Sequence, residues 1–317
     1  MVKKLLFVFN PHAGKAKIKP KLADIIDEFV KSGYWVTAYT TQSTADAKRI
    51  VREHAGEYDI VVCSGGDGTL NEVVNGMVES KADIPIGYIP AGSTNDYGRS
   101  LGIPRNMLKA AKVITQGRDF QSDLGILNDK SFVYVAAFGA FTKVSYETSQ
   151  QVKNVLGHSV YLLEGVKSIA DIQAYPMRIE VEDEVLEDSF IFGMITNTLS
   201  VGGFKNLTGK EVILDDGLFE MTFISKPSNP LELQSILAGL MIESISSKCI
   251  HKFKASHVRL QAKQEVPWTI DGEYGGDHRE VEIENLMQAF KIRIDENHMN
   301  LSADLVLLED DDDEDEE

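Results

Sequence analysis

Ile60-Val61-Val62-Cys63-Ser64-Gly65-Gly66-Asp67-Gly68-Thr69-Leu70-Asn71-Glu72 decides the architecture of this chain. The run from Ile60 to Cys63 is continuously apolar and ends in a glycine cluster, so it reads as a strand buried on both faces. From Leu70 to Val78 the apolar positions take helical spacing. Between the two, Gly65, Gly66 and Gly68 remove β-carbons and let the backbone lie close to a ligand. A loop that ends a strand and opens a helix points N–H groups and the helix dipole at an anion. Thr69 and Asn71 add hydrogen-bond donors for a phosphate. Asp67 would repel one unless a divalent cation stands between them. A bare glycine turn is the alternative, and it has no use for the aspartate. The spacing is not the dinucleotide fingerprint, and the Lys-Ser/Thr of a P-loop is missing.

Outward from this stretch, strand-like and helix-like patterns alternate. Leu5–Phe9, Tyr34–Thr40 and Ile86–Ile89 read as strands. Lys21–Lys31, Ala45–Glu53, Asn95–Leu101 and Asn106–Gln116 read as helices, with Gly33 closing the first and Ser43 or Thr44 capping the second. This rhythm predicts an open parallel α/β sheet over residues 1–122. After Asp123 the pattern turns to short strands: Ser131–Phe138, Met177–Glu182, Ser189–Thr196, Phe219–Ile224, Val258–Ala262, Trp268–Asp271 and Val281–Glu284. Two helices, Gln150–Ile172 and Leu231–Ile245, interrupt them. Residues 123–288 are therefore expected to form a mainly antiparallel β-sandwich. Residues 289–308 are expected to return to the first domain, with Ala289–Ile294 as their strand.

Composition bounds the rest. The chain has 317 residues, 43% of them hydrophobic, which suits two folded domains. No apolar run approaches the ~20 residues that span a bilayer, and the five-residue apolar start lacks a cleavage site. A cytoplasmic protein is expected. Of the two cysteines, Cys63 reads as a small buried hydrophobe. The net charge is −17, and nine of the acidic residues form the run Glu309 to Glu317, a solvated and disordered tail. Overall acidity argues against nucleic-acid binding. Lys15, Lys17, Lys19 and Lys21 oppose that bias, either as a solvated helix entry or as a surface for phosphates and anionic headgroups.

Two further loops follow predicted strands, where ligands of open α/β sheets bind. One is Asn10-Pro11-His12-Ala13-Gly14. The other is Pro90-Ala91-Gly92-Ser93-Thr94-Asn95-Asp96, in which Ser93 or Thr94 is expected to cap the next helix. Asp96 offers a second carboxylate, although an aspartate at a helix start also suits the dipole alone. Asp123 is a third candidate for one magnesium–ATP site. In the second domain, Leu214-Asp215-Asp216-Gly217-Leu218-Phe219 is either a turn or a hard-cation site. Ile270-Asp271-Gly272-Glu273 places two carboxylates on a turn, and an aspartate there can accept the proton of an attacking alcohol.

Together the stretches Gly65–Gly76, Gly92–Pro104, Leu214–Glu220 and Asp271–Gly276 resemble the diacylglycerol kinase catalytic-domain family of bacterial lipid kinases, over residues 3 to 294. The run Gly65–Thr69 alone is shared with NAD kinases, 6-phosphofructokinases and sphingosine or ceramide kinases. The combination is more specific, although Ala91 and Ser93 differ from the family's usual residues. The resemblance implies an ATP-dependent kinase that phosphorylates diacylglycerol to phosphatidic acid. It implies that Asn10, Pro11, His12, Ala13 and Gly14 hold the ATP phosphates, with Thr41 near the nucleotide. Gly66, Asp67, Gly68, Thr69, Leu70, Asn71, Glu72 and Thr94 would complete the nucleotide site. Asp67, Asp96 and Asp123 would organise a catalytic Mg2+, and Asp216 a structural one, with the carbonyls of Ile213 and Leu218. Asp271 would be the general base and Glu273 its neighbour. Family members contact membrane surfaces peripherally, and some are homodimers. The competing readings are another acceptor, such as phosphatidylglycerol or a sphingoid base, and a catalytically silent nucleotide or lipid sensor.

Overall fold

A computed structural model describes residues 2–140, 173–199, 212–241 and 247–296. The expected helix Gln150–Ile172 and the acidic tail lie outside the described residues, as does everything beyond 296. The first strand, β1 (Lys3–Phe9), is buried from Leu5 to Phe9 because both of its edges and both of its faces are covered. It pairs in parallel with β2 (Tyr34–Thr40) and with β3 (Ile60–Gly65), and β3 pairs in parallel with β4 (Ile86–Pro90). The strand order is β4-β3-β1-β2, with the ends Phe9, Gly65 and Pro90 on one rim. Helices α1 (Leu22–Lys31), α2 (Asp46–His54), α3 (Asp67–Ser80), α4 (Asp96–Ser100) and α5 (Met107–Gln116) follow their strands. Helix α1 packs with α5, and α2 with α3. Gly76 permits the second contact, since a β-carbon there would stand 2.6 Å from Lys48 O.

Three local expectations need correction. Helix α3 starts at Asp67, not Leu70, so Asp67, Gly68 and Thr69 form its first turn. Neither Ser43 nor Thr44 caps α2. The Glu72 carboxylate does so from α3, accepting Ala45 N at 2.8 Å and Ala47 N at 3.2 Å. At α4 the cap position is Asn95, in the left-handed region at φ 52°, rather than Ser93 or Thr94. Its Oδ1 accepts Gly92 N and the Tyr88 hydroxyl, and its Nδ2 donates to Gly92 O, which pins the third loop.

The second half is built from strands β5 (Arg118–Leu127), β6 (Lys130–Phe132), β7 (Val135–Gly139), β8 (Tyr175–Val181), β9 (Glu184–Thr196), β10 (Phe219–Ser225), β11 (Ile250–Ala255), β12 (His257–Ile270) and β13 (Glu273–Ile294), plus helix α6 (Pro230–Met241). Strands β9 and β12 are long enough to serve two partners each. Both pair with β7 at one end and with β8 at the other, so β7, β9, β8 and β12 close a ring. Long strands that change partners along their length are how two packed sheets share a corner. The enclosed core is aromatic: Phe138 meets Trp268 at 5.0 Å, and Phe132 stacks on Phe219 at 5.5 Å.

Strand β13 joins the halves. It runs antiparallel to β12, then antiparallel to β5, and reaches β4 in parallel at Ile292. Ala289–Ile294 is the end of one strand that also contains Val281–Glu284, and Ile292 in it pairs with Ile86 of β4. The expected boundary after Ser122 falls inside β5, which pairs with β13 on both sides of that point.

The Glu72 cap is testable. Glu72→Ala leaves two N–H groups of α2 without their acceptor and is expected to cost about 1 kcal/mol, the usual value of a lost cap. Urea denaturation measures it, and an unchanged midpoint would remove Glu72 from that role.

Candidate active site

The three rim loops touch through backbone. Asn10 N donates to Ser64 O at 2.9 Å, and Ala91 N donates to Gly65 O at 2.8 Å. Glycine is required where they cross. Gly14 sits at φ 51° with its missing β-carbon 1.8 Å from Ala91 O, and a β-carbon on Gly92 would stand 2.6 Å from Gly66 Cα. Asn10 closes its own loop by accepting His12 N, and Thr41 N donates to Phe9 O beside it. Pro11, Ala13 and Gly14 are half-buried on this rim, while His12 and Thr94 are exposed.

The first turn of α3 carries the anion-binding potential. Its opening N–H groups, on Asp67, Gly68 and Thr69, precede the first intrahelical bond, Leu70 N to Gly66 O. That bond engages the Leu70 N–H, and the Leu70 side chain is fully buried. Glu72 is likewise turned to α2. The Asn71 amide points across to Asp271 rather than to the rim.

Asp67 is the focus of the electrostatics. Burial pushes its carboxyl up to about 7, and the Asp96 and Asp271 charges push the same way. The backbone N–H groups of Tyr97 and Asp96 pull in the opposite direction. Its Oδ1 is buried without a hydrogen-bond partner. Asp96, 4% exposed, stands beside it at the start of α4. A buried carboxylate oxygen without a donor, next to a second carboxylate, fits a divalent cation. Tyr134 closes the cluster, and burial together with the Asp67, Asp271 and Asp96 charges raises its hydroxyl well above the ordinary value.

The Asp271 carboxylate, the expected general base, is engaged by four donors within the protein. Its Oδ2 accepts Val133 N at 2.8 Å and Asn71 Nδ2 at 2.7 Å, and its Oδ1 accepts Tyr134 N at 3.0 Å and Val135 N at 3.1 Å. Two acceptor directions per oxygen are thereby filled. Burial raises its carboxyl, and the four donors oppose that rise. Its backbone is left-handed at φ 48°, and with Gly272 at φ 82° it turns the chain so that Glu273 lies over α3. A β-carbon on Gly68 would stand 2.9 Å from Glu273 Oε1. Glu273 is exposed and reaches the first turn of α3.

Asp123 is also placed differently from expectation. Its Oδ2 accepts Gly217 N and its Oδ1 accepts Gln288 N, both at 2.7 Å, so it belongs to the Asp216 turn. Burial raises its carboxyl, and the Asp216 charge adds to the rise. Asp216 bonds Leu218 N at 3.0 Å and pairs with Lys254 Nζ at 2.9 Å. Lys254 also reaches Glu220 Oε1 at 3.3 Å, and burial pushes the Glu220 carboxyl up to about 7. Two carboxylates share one ammonium here and Asp123 lies against the same turn, an excess of negative charge that suits a divalent cation at Asp216. The carbonyl-bearing residues Ile213 and Leu218 flank it on the turn, with Gly217 at φ 76°. Sequence reasoning missed Asn95, Tyr134, Glu220 and Lys254. Glu220 closes the Leu214–Glu220 motif and was legible there; Lys254 lies on a polar strand with no such signal.

The raised Asp67 carboxyl has a pH consequence. The folded state holds this proton more tightly than the unfolded chain. Stability without divalent ions therefore falls as pH rises from 3.8 through about 7. At pH 7.5 in chelator, Asp67→Asn is expected to raise the unfolding free energy by on the order of 1–4 kcal/mol. Near pH 4 it should match the wild type. Denaturation at the two pH values measures the difference, and a variant less stable than wild type at pH 7.5 would contradict it.

Comparison with known proteins places this geometry in a family. Residues 4–127 match the model of the diacylglycerol kinase catalytic domain, and residues 135–293 match that of the YegS C-terminal NAD kinase beta sandwich-like domain. A diacylglycerol kinase of Staphylococcus carnosus (strain TM300) is 35% identical over 281 residues, covering 87% of this chain and 90% of the relative. One from Staphylococcus aureus (strain MRSA252) is 35% identical over 282 residues, covering 87% and 88%. The crystal structure of a diacylglycerol kinase from Bacillus anthracis str. Sterne superposes with a TM-score of 0.72 at 23% identity, over 92% of this chain and 97% of that one. With glycine-lined rim loops, a buried acidic cluster and both domain matches in hand, the chain belongs to the diacylglycerol kinase family of lipid kinases.

Proposed function

We propose that this protein transfers the γ-phosphoryl group of ATP to the free hydroxyl of diacylglycerol, giving phosphatidic acid and ADP. The observation that carries this reading is Glu273 lying over the first turn of α3, the turn that holds the half-buried Asp67 next to the buried Asp96. The rim loops Asn10–Gly14, Gly66–Thr69 and Thr94 would receive the triphosphate on backbone N–H groups. The acceptor oxygen bonds to the γ-phosphorus as the bond from that phosphorus to the β-phosphate oxygen breaks. Glu273 takes the hydroxyl proton. Asp271, held by four donors, keeps the turn that presents Glu273.

Asp67 and Asp96 would hold a catalytic magnesium ion. Asp216, with Asp123 and the carbonyls of Ile213 and Leu218, would hold a structural one. Magnesium supplies charge neutralisation to the triphosphate when bound. Among the described residues no helix is long and apolar enough to cross a membrane. The lipid would thus be reached by peripheral contact with a bilayer from the cytoplasmic side.

A labelled-ATP assay with mixed micelles of diacylglycerol, phosphatidylglycerol and a sphingoid base tests the acceptor. Product is expected with diacylglycerol alone. Product with another lipid would reassign the acceptor, and no product with ATP still bound would favour a sensor. Glu273→Gln is expected to lower turnover by about 10²–10⁴-fold, the range for a lost general base, with ATP affinity retained. Wild-type turnover in that variant would exclude Glu273 from proton transfer.

A further inference from the structure

Two polar side chains behind the site, Asn75 on α3 and Ser131 on β6, form a directed chain with Asn71. Ser131 Oγ donates to Asn75 Oδ1. Asn75 Nδ2 donates to Asn71 Oδ1 at 2.9 Å and to Asn71 O at 2.8 Å. Asn71 Nδ2 donates to Asp271 Oδ2 at 2.7 Å and to Ser131 O at 3.3 Å. All of these groups are at least partly buried.

The direction of the chain is forced. A carboxamide has an acceptor at one end and a donor at the other. The Asp271 carboxylate only accepts, so Asn71 must turn its NH2 group toward it. That leaves Asn71 Oδ1 in need of a donor, and Asn75 supplies one. Asn75 Oδ1 then needs a donor of its own, and the Ser131 hydroxyl supplies it. Each link fixes the rotation of the next, and the last group lies in the second domain.

From this we infer that Asn75 and Ser131 are positioning residues for phosphoryl transfer. They hold the Asn71 amide in the one orientation that anchors the Asp271 turn, and so set Glu273 over the phosphate-binding end of α3. Neither touches the reacting atoms. The inference rests on the kinase reading proposed above, and its test includes an arm that needs no activity.

Asn75→Asp is isosteric but turns a donor into an acceptor. Asn71 must reverse, and its Oδ1 then faces Asp271 Oδ2. Misplacement of a catalytic group by about 1 Å can cost about 10²-fold, so kcat is expected to fall by about 10–10²-fold. KM for ATP should stay within about twofold, because the rim loops that receive the triphosphate do not include Asn75. Ser131→Ala removes only the last donor and should show a smaller loss, and Ser131→Thr should restore wild-type kcat. The second arm is thermal melting of Asn75→Asp, Asp271→Asn and the double variant. In the double variant the reversed Asn71 oxygen meets an amide donor at position 271. It should melt above the temperature expected from adding the two single effects. Wild-type kcat in Asn75→Asp, a matching rise in KM for ATP, or strictly additive melting would each overturn the inference. Non-additive melting in a protein whose wild type transfers phosphate to no lipid would keep the relay and overturn the kinase reading instead.

Discussion

One buried carboxylate holds the two halves of this protein in register at the rim. Asp271 gathers three consecutive backbone N–H groups, Val133 to Val135, and the amide of Asn71 from α3. The three N–H groups run from the passage after β6 into the first residue of β7, and Asn71 belongs to α3, the helix that follows the glycine-rich rim loop. A charge this deep in the protein is tolerable only with such partners, because a buried ion without them is costly by several kcal/mol. Asp271 itself sits in the left-handed region, and the next residue, Gly272, continues the reversal. Everything proposed for Glu273 depends on that turn being fixed.

Around this anchor the acidic groups separate into two centres, and the separation follows from strand geometry. Strand β13 changes register between Leu286 and Phe290, with Gln288 in the left-handed region. That irregularity frees Gln288 N to meet Asp123, whose other oxygen meets Gly217. Asp123 is thereby drawn to the Asp216 turn and away from Asp67. The centres remain adjacent through α4 and β5. Tyr97, next to Asp96, hydrogen-bonds through its hydroxyl to Ser122, next to Asp123.

Much of this was readable from the chain alone, and the failures have definite causes. The continuous apolar runs of β1 and β3 and the glycines of the rim loops left little choice, since few other conformations bury those residues, and side chains at Gly14, Gly65 and Gly92 would collide with their neighbours. Strands β5 and β11 were missed for the opposite reason. Arg118–Leu127 carries Arg118, Asp119 and Asp123, and Ile250–Ala255 alternates with lysines on an exposed face. What held these segments as strands was pairing with distant partners, β13 and β10, which a local pattern does not contain. Capping failed similarly. Ser43 and Thr44 are good local candidates, yet Glu72, remote in sequence, fills the role. The motif around Asp271 marked the right turn, but which of its two carboxylates is accessible depends on four donors from elsewhere in the fold.

The electrostatic balance of the rim explains why a cation is part of the argument at all. Asp67 and Asp271 both have carboxyls raised chiefly by burial, and Asp67 is raised further by the charges of Asp96 and Asp271. Asp271 resolves its cost internally through four donors. Asp67 does not, since its Oδ1 has no hydrogen-bond partner and its neighbours carry the same sign. A fold that tolerates such a group gains nothing from it in isolation, so the residue is better understood as one half of an interaction. The second centre differs in kind. Lys254 already balances part of the charge of Asp216 and Glu220 there, so an ion at that turn would complete a partly neutralised site. At the rim, by contrast, an ion would enter beside a carboxylate oxygen that is buried and has no donor, where water screens its charge less than in bulk solution.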